Sequence, residues 1–441
     1  MKARISLLME KLRSAYWFIP SLMLLGSGAL AFGLIALDER VQTQTLRGFW
    51  WIFSGGPQGA RSLLSTVAGS VITVAGTTFS ITVAVLSLTS SQFGPRLLRG
   101  FLRDRANQIV LGTFVSTFLY CLLVLRVVRS VEEVAFVPHI AVTGGVLLAV
   151  ASVGVLLFFI HHVSTSIQVS QIIASVAYEL DEAIARLYPD ETGQDVSDEA
   201  PESGEERLVG QEIRARRGGY VQTIDTEALL ALAKERNAVL GLVHMPGEFV
   251  APDSTLAIWY PAVPVAGHAD DSLTARVNAA FTLGKQRTAT QDAGFLLLQL
   301  VEIATRALSP GVNDPFTALL CLDRLGAALS RLATRRFPDS KRQDDQGTVR
   351  LIAPSFDFAN YTYLTFTSLR HYGSGDPLVA ERLLQVIGEV ASHVRGEGHR
   401  ANLRQHLDWA RSAALADAKE AERGVIEKNY ASALQRFEKQ R

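Results

Sequence analysis

Residues 63–90 read LLSTVAGSVITVAGTTFSITVAVLSLTS, a stretch without Asp, Glu, Lys or Arg. A helix needs about 20 apolar residues to cross a bilayer, so this segment is long enough to span a membrane. Small hydroxyl residues recur along it at alternating spacings of four and three. They are Thr66, Ser70, Thr73, Thr77, Ser80, Ser87 and Ser91, with Ala84 in the same register. This spacing predicts a seam of hydroxyls on one helical face.

Three further uncharged stretches, Trp17–Leu37, Asn107–Leu125 and Pro138–Ile160, are also long enough to span. The first is too long for a signal-peptide core, and no small-x-small cleavage site precedes Asp38, so we interpret it as a retained span. The predicted fold class is an α-helical integral membrane domain with four transmembrane helices in the lipid bilayer. A mainly α, α+β cytoplasmic domain follows it.

Two interpretations of the hydroxyl seam stay open. Small residues let membrane helices pack closely, with their hydroxyls bonded to backbone carbonyls or to one another. Alternatively, copies of this helix surround an aqueous path for an inorganic ion, and the seam residues line it. In the second interpretation, Phe79 is the candidate for an apolar constriction beside Ser80.

The segment after this span carries Arg96, Arg99 and Arg103 on one predicted helical face, with Leu97, Leu98 and Phe101 on the rest. Such a helix can lie on anionic lipid. The functional alternative is a basic collar that attracts anions at the cytoplasmic mouth. The four predicted spans contain no acidic residue, which argues against an intramembrane proton relay.

Basic residues predict the orientation. Eight of them precede the first span or follow the second, against five in the other two connections. This bias places both termini in the cytoplasm. The two cysteines, Cys121 and Cys321, form no CxxC motif, which agrees with a cytoplasmic location of the second half.

Composition divides the whole chain into five predicted segments. The predicted segments are a membrane domain 1–162, a stalk helix 163–189, a charged linker 190–218, a small α/β unit 219–270 and a mainly helical domain 271–441. The stalk helix is expected to run without interruption through Val163–Leu187. The α/β unit has few strands, so a neighbouring segment or another subunit is expected to complete its sheet.

Polar residues crowd one window of the helical domain and could line a ligand pocket. The candidates are Gln291, Asp292, Glu302, Arg306, Asn313 and Asp314. Helix caps and surface ion pairs explain them equally well. No catalytic motif is present, so no catalytic residue, cofactor or metal site is predicted, and an enzyme is not expected. Lys and Arg together equal Asp and Glu at 43 each, which excludes a purely electrostatic nucleic-acid binder.

The chain resembles a bacterial family of predicted membrane proteins of unknown function. The residues that carry the resemblance are Ser90–Leu98 (SSQFGPRLL), Asp292–Phe295 (DAGF) and Ala307–Ala318 (ALSPGVNDPFTA). The resemblance implies a four-span region followed by a cytoplasmic domain, in the inner membrane. It implies no activity and no functional residue.

Two function hypotheses follow. In the first, the protein is a homo-oligomeric, channel-like inner-membrane protein with a hydroxyl-lined second span and a cytoplasmic domain for assembly or gating. In the second, the spans only anchor a cytoplasmic binding or sensing module, without transport.

Overall fold

A computed structural model describes residues 17–40, 53–93, 105–129, 136–166, 168–189, 210–262 and 270–438. The chain divides into two compact units, residues 1–171 and 172–441. The first unit contains four helices that are apolar and long enough to cross a membrane. They are α1 (Phe18–Arg40), α2 (Pro57–Phe93), α3 (Arg105–Val127) and α4 (His139–Ser166).

Helix α3 is the central helix of this membrane unit, because it packs against α1, α2 and α4. Its buried residues include Val110, Phe114, Tyr120 and Val124. The prediction of four membrane helices followed by a mixed helical and sheet domain is confirmed. Helix α1 continues three residues past the predicted span end at Leu37, so that Asp38 lies within the helix.

The stretch Val163–Leu187, predicted as one helix, is described as parts of two helices, and Ile167 between them lies outside the described residues. Helix α4 ends at Ser166, and α5 runs over Val169–Leu187. The break follows Thr165, whose hydroxyl donates to the carbonyls of His161 and His162. The N–H of Gln168 bonds three residues back to Thr165 O (3.2 Å) instead of continuing the four-residue ladder.

The second unit begins within α5 and continues into strands and short helices. These elements are β1 (Gln211–Arg214), β2 (Gly219–Ile224), α6 (Thr226–Glu235), β3 (Ala238–Leu242), β4 (Phe249–Val250), β5 (Thr255–Pro261), α7 (Asp271–Ala280) and β6 (Phe281–Gly284). Alternating buried residues on β2 and β3 pack with α6 and α7 in one apolar core. Two sheets result, and the smaller has the strand order β4-β2-β6.

The helical part of this unit consists of α8 (Ala293–Ala307), α9 (Pro315–Leu332), α10 (Phe358–Gly373), α11 (Pro377–Ala391), α12 (Glu397–Asp417) and α13 (Glu420–Glu438). Between α9 and α10 lie β7 (Lys341–Gln343) and β8 (Val349–Ile352). These strands complete the five-stranded sheet, whose order is β1-β5-β3-β8-β7, with β8 parallel to β3. The neighbouring segment that completes the sheet therefore belongs to the same chain.

Aspartates begin most of the helices in this unit. Asp225, Asp292, Asp314 and Asp376 each accept a hydrogen bond from the backbone N–H three residues later. These caps satisfy N–H groups that the first helical turn leaves unpaired, and the carboxylate also suits the positive end of the helix dipole.

Candidate functional site

One face of α2 is covered by no other described part of the chain. We call this set of exposed small residues the outer face of α2. It comprises Thr66, Gly69, Ser70, Thr73, Gly76, Thr77, Ser80, Ala84 and Ser87. A Cβ atom added at Gly69 or Gly76 would meet nothing within 4 Å. The opposite side of α2, with Val71, Ala75 and Val85, is buried in the membrane unit.

Five hydroxyls of the outer face are bonded within their own helix. Thr73 donates to Gly69 O (2.8 Å), Thr77 to Thr73 O (3.1 Å) and Ser80 to Gly76 O (3.0 Å). Thr66 and Ser70 make equivalent bonds near the start of the seam. Because these hydroxyl protons are donated within the helix, the lone pairs of the hydroxyl oxygens remain available to accept hydrogen bonds or to coordinate a cation opposite this face.

Of the other residues predicted for the path and its mouth, the structure describes only some. Phe79 is 50% exposed on α2. Ser91 lies within α2, but its side chain is outside the described residues, and so are Arg96, Arg99 and Arg103.

The carboxylate of Asp38 connects α1 to α4. The sequence did not reveal this connection. Asp38, buried at the end of α1, accepts the N–H groups of Ile140 and Ala141, each at 2.9 Å. It thereby caps the N-terminus of a helix about 100 residues away in the chain. The apolar pattern ends before Asp38, so the only sequence signal was an acidic residue at a predicted span end.

A second carboxylate is buried at the start of α8, where the prediction had placed a ligand pocket. Both oxygens of Asp292 accept from the Arg287 guanidinium, at 2.8 and 3.0 Å, and Oδ1 also accepts the N–H of Phe295. Burial raises the pKa of Asp292, and the guanidinium acts in the opposite direction. Gly247 has a φ of +94°, and a Cβ there would collide with the Asp292 carboxylate, so this close approach requires glycine.

Two tyrosines lie beside this ion pair. The hydroxyls of Tyr188 and Tyr361 are 2.6 Å apart, and burial raises the pKa of both phenols. Tyr188 follows α5 directly, and its carbonyl accepts from Arg335. Its neighbour Arg186 donates to Ala289 O (3.1 Å). The end of α5 is thus held against the loop before α8 and against α10.

The remaining pocket candidates lie along α8 and after it. Gln291 pairs its amide with both backbone groups of Ile224, which ties β2 to the start of α8. Glu302 and Arg306 form an ion pair at 3.3 Å.

The last two candidates follow α8. Asn313 is exposed with φ +50°, and Asp314 caps α9. The 15 residues of α8, roughly 22 Å long, separate the group at residues 291–292 from the group at 313–314. Among the described residues, no hydrogen bond or ion pair joins these two groups. No described group of His, Cys, Asp and Glu side chains could hold a metal ion.

Four apolar helices, with a mixed helical and sheet unit after them, define an integral membrane protein in contact with the lipid bilayer. The chain belongs to the family described as "Predicted membrane protein (DUF2254)", whose model matches residues 13–389.

Two similar relatives are the "Uncharacterized protein Rv1290c" of Mycobacterium tuberculosis (strain ATCC 25618 / H37Rv) and the "Uncharacterized protein Mb1321c" of Mycobacterium bovis (strain ATCC BAA-935 / AF2122/97). Each is 34% identical over 424 residues, which cover 95% of this chain and 80% of the relative. No solved structure matches the chain.

Proposed function

We propose that the protein is a homo-oligomeric, channel-like membrane protein in which α2 helices of several copies surround an ion path. The observation that carries this proposal is the chemistry of the outer face of α2. It presents hydroxyls and glycines where a helix that faces lipid presents large apolar side chains.

The outer face of α2 matches a surface that packs against protein or faces water. Small residues allow close backbone approach between membrane helices, and glycine or alanine at spacings of three and four recurs in such contacts. A second copy of α2 offers the same surface. A closed cyclic arrangement would bring all copies of this face around one axis.

The hydrogen bonding of the hydroxyls leads to an expectation about the charge of the ion. Their protons are used within the helix, so the seam offers mainly acceptor oxygens, which replace the hydration shell of a cation better than that of an anion. The candidate collar Arg96, Arg99 and Arg103 would instead attract anions at the cytoplasmic mouth. The reversal potential of a measured current would give the net sign.

The alternative function, a membrane-anchored cytoplasmic binding or sensing module, is favoured by one specific observation. Because the hydroxyls of Thr73, Thr77 and Ser80 are satisfied by their own helix, the outer face of α2 can pack dry against a neighbour without loss of hydrogen bonds. In that case the Asp292–Tyr361 region of the second unit would carry the function.

Thiol accessibility together with conductance separates the two. Single cysteines at Thr73, Thr77 and Ser80 are placed in a background with Cys121→Ala and Cys321→Ala, both native cysteines being buried. Cysteines at Val150 and Leu157, exposed on α4, are the controls. The channel proposal expects reaction of the α2 cysteines with a charged thiol reagent, protection of the α4 cysteines, and current in a planar bilayer. Protection at all five positions without current would reject it in favour of the anchored module.

We further propose that the N-terminus and the second unit lie in the cytoplasm, because of the basic-residue bias, and that the membrane is the bacterial inner membrane, as the family resemblance implies. Reporter fusions at residues 56 and 200 test this topology. Periplasmic activity at 56 and cytoplasmic activity at 200 are expected, and the reverse pattern would overturn the orientation.

A further inference from the structure

A buried polar cluster lies between α10 and α12, away from the residues discussed above. His406 of α12 is 2% exposed. Its ring lies 5.5 Å from that of Phe366 on α10 and 5.3 Å from the indole of Trp409, centroid to centroid. The Arg370 guanidinium carbon lies 5.0 Å from the centroid of the same indole. Arg370 and His406 therefore share one aromatic neighbour.

Two polar atoms of this cluster, and one on the adjacent turn of α10, have no hydrogen-bond partner within the described part of the chain. They are His406 Nδ1, Arg370 Nη1 and Thr367 Oγ1, each shielded from solvent. Thr367 precedes Arg370 by three residues on α10, which puts the two on neighbouring positions of one helical face. Buried polar atoms are almost always paired in folded proteins, so the orphaned atoms of Arg370 and His406, which share one indole, and that of Thr367 one turn away indicate a missing partner.

The charge of the cluster restricts what that partner can be. No carboxylate among the described residues forms an ion pair with Arg370. Burial, reinforced by the Arg370 guanidinium, lowers the pKa of His406 to about 4, so the imidazole is neutral at pH 7. A guanidinium, a hydroxyl and a neutral imidazole can all donate a hydrogen bond, and together they carry one uncompensated positive charge.

We propose that Arg370, Thr367 and His406 form a binding site for a small oxyanion, a carboxylate or a phosphate group, with the indole of Trp409 at its solvent side. Carboxylate and phosphate groups both present two oxygens that suit the paired N–H donors of a guanidinium. Trp409 is 41% exposed and its ring neighbours both Arg370 and His406, so the cluster reaches the surface of the unit at this indole. The site is independent of the membrane path. An anion bound there would either regulate the second unit or be its substrate.

The test uses the detergent-solubilised full chain and isothermal titration calorimetry with inorganic phosphate or acetate, at an ionic strength held constant with chloride. The variant Arg370→Gln removes the charge, and Thr367→Val removes the hydroxyl with little change of shape. Arg324→Gln is the matched control, because Arg324 is exposed on α9 of the same unit. Circular dichroism checks that each variant keeps its helices.

Saturable binding of one of the two anions is expected, because the donors are fixed in the fold. In Arg370→Gln the affinity should fall at least about tenfold, the factor that about 1.4 kcal/mol represents. Thr367→Val should weaken it less, and Arg324→Gln should leave it unchanged. No saturable heat with either anion, or equal binding by Arg370→Gln and Arg324→Gln, would overturn the proposal and assign the three orphaned atoms to ordered water.

Discussion

The outer faces of α2 and α4 belong to the same membrane unit and differ in their side chains. On α4 most of the exposed residues within the span are large and apolar, namely Leu147, Val150, Val153, Leu157, Phe158 and Ile160. On α2 a stripe of hydroxyls, glycines and alanine occupies the equivalent surface, with larger residues such as Ile72, Ile81 and Val83 only at its edges. Exposure alone therefore does not identify a lipid contact. Side-chain size distinguishes the face of α4, which suits acyl chains, from the face of α2, which suits close contact with protein or water.

The largest expected effect comes from bulk added at matched glycines. Gly76 on α2 and Gly154 on α4 are both exposed, and a Cβ at either meets nothing within 4 Å, so leucine fits the single chain at both. If copies of α2 pack together as the channel proposal holds, Gly76→Leu should disrupt that oligomer because it blocks close approach of the α2 helices, whereas Gly154→Leu should not.

The readout is the mass of the solubilised particle at several concentrations. A shift of at least about tenfold in the concentration for half-assembly, or about 1.4 kcal/mol, is expected for Gly76→Leu alone. If both variants assemble like the unmodified chain, the two faces do not differ in function.

The next largest effect, on folding stability, is expected at the N-terminus of α4. Asp38→Ala leaves the N–H groups of Ile140 and Ala141 without their carboxylate, and unsatisfied buried groups cost about 1–3 kcal/mol each. The thermal unfolding midpoint in detergent should fall clearly. Glu39→Ala changes the adjacent, exposed acid and should leave the midpoint unchanged. Equal midpoints for the two variants would show that the inter-helix cap is not needed for stability.

A smaller effect is expected where hydroxyls bond between helices. Thr117 on α3 and Ser152 on α4 form a buried pair at 3.2 Å, and such bonds in membranes average about 0.6 kcal/mol. Thr117→Val should lower the unfolding midpoint slightly. The control Thr113→Val removes a hydroxyl that bonds only to Ile109 O of its own helix. A greater loss in the control would contradict this assignment.

The smallest effect on folding is expected on the outer face of α2. Thr77→Val keeps the shape and removes a hydroxyl bonded to its own helix, so stability should change by no more than about 0.5 kcal/mol. In the channel proposal, however, the oxygen faces the path. Conductance of the variant should then fall while unfolding and assembly stay the same, and unchanged conductance would place Thr77 in a dry contact.

The sequence predicted those features whose signals are local. Long uncharged stretches marked the four spans, and helix caps were one of the two explanations for Asp292 and Asp314, which begin α8 and α9. Each signal lies within the element that it predicts.

Contacts between distant segments were not predictable in the same way. Asp38 caps a helix about 100 residues away, and nothing near Asp38 in the chain encodes that partner. Likewise, no short pattern brings Arg370 and His406 to one indole, because their proximity depends on how α10 and α12 pack. The separation of residues 291–292 from 313–314 depends on the length of α8, although all four lie in one short window of sequence.

The parallel pairing of β3 with β8 has a consequence for how the protein is made. Leu240 pairs with Leu351, so the central strand gains its second neighbour only after about 110 more residues have left the ribosome. At synthesis rates of 5–20 residues per second, this takes about 5–20 s. During that interval β3 presents an unpaired edge, a surface that favours aggregation. Biogenesis of the second unit is therefore most sensitive to slow translation or to truncation between β3 and β8.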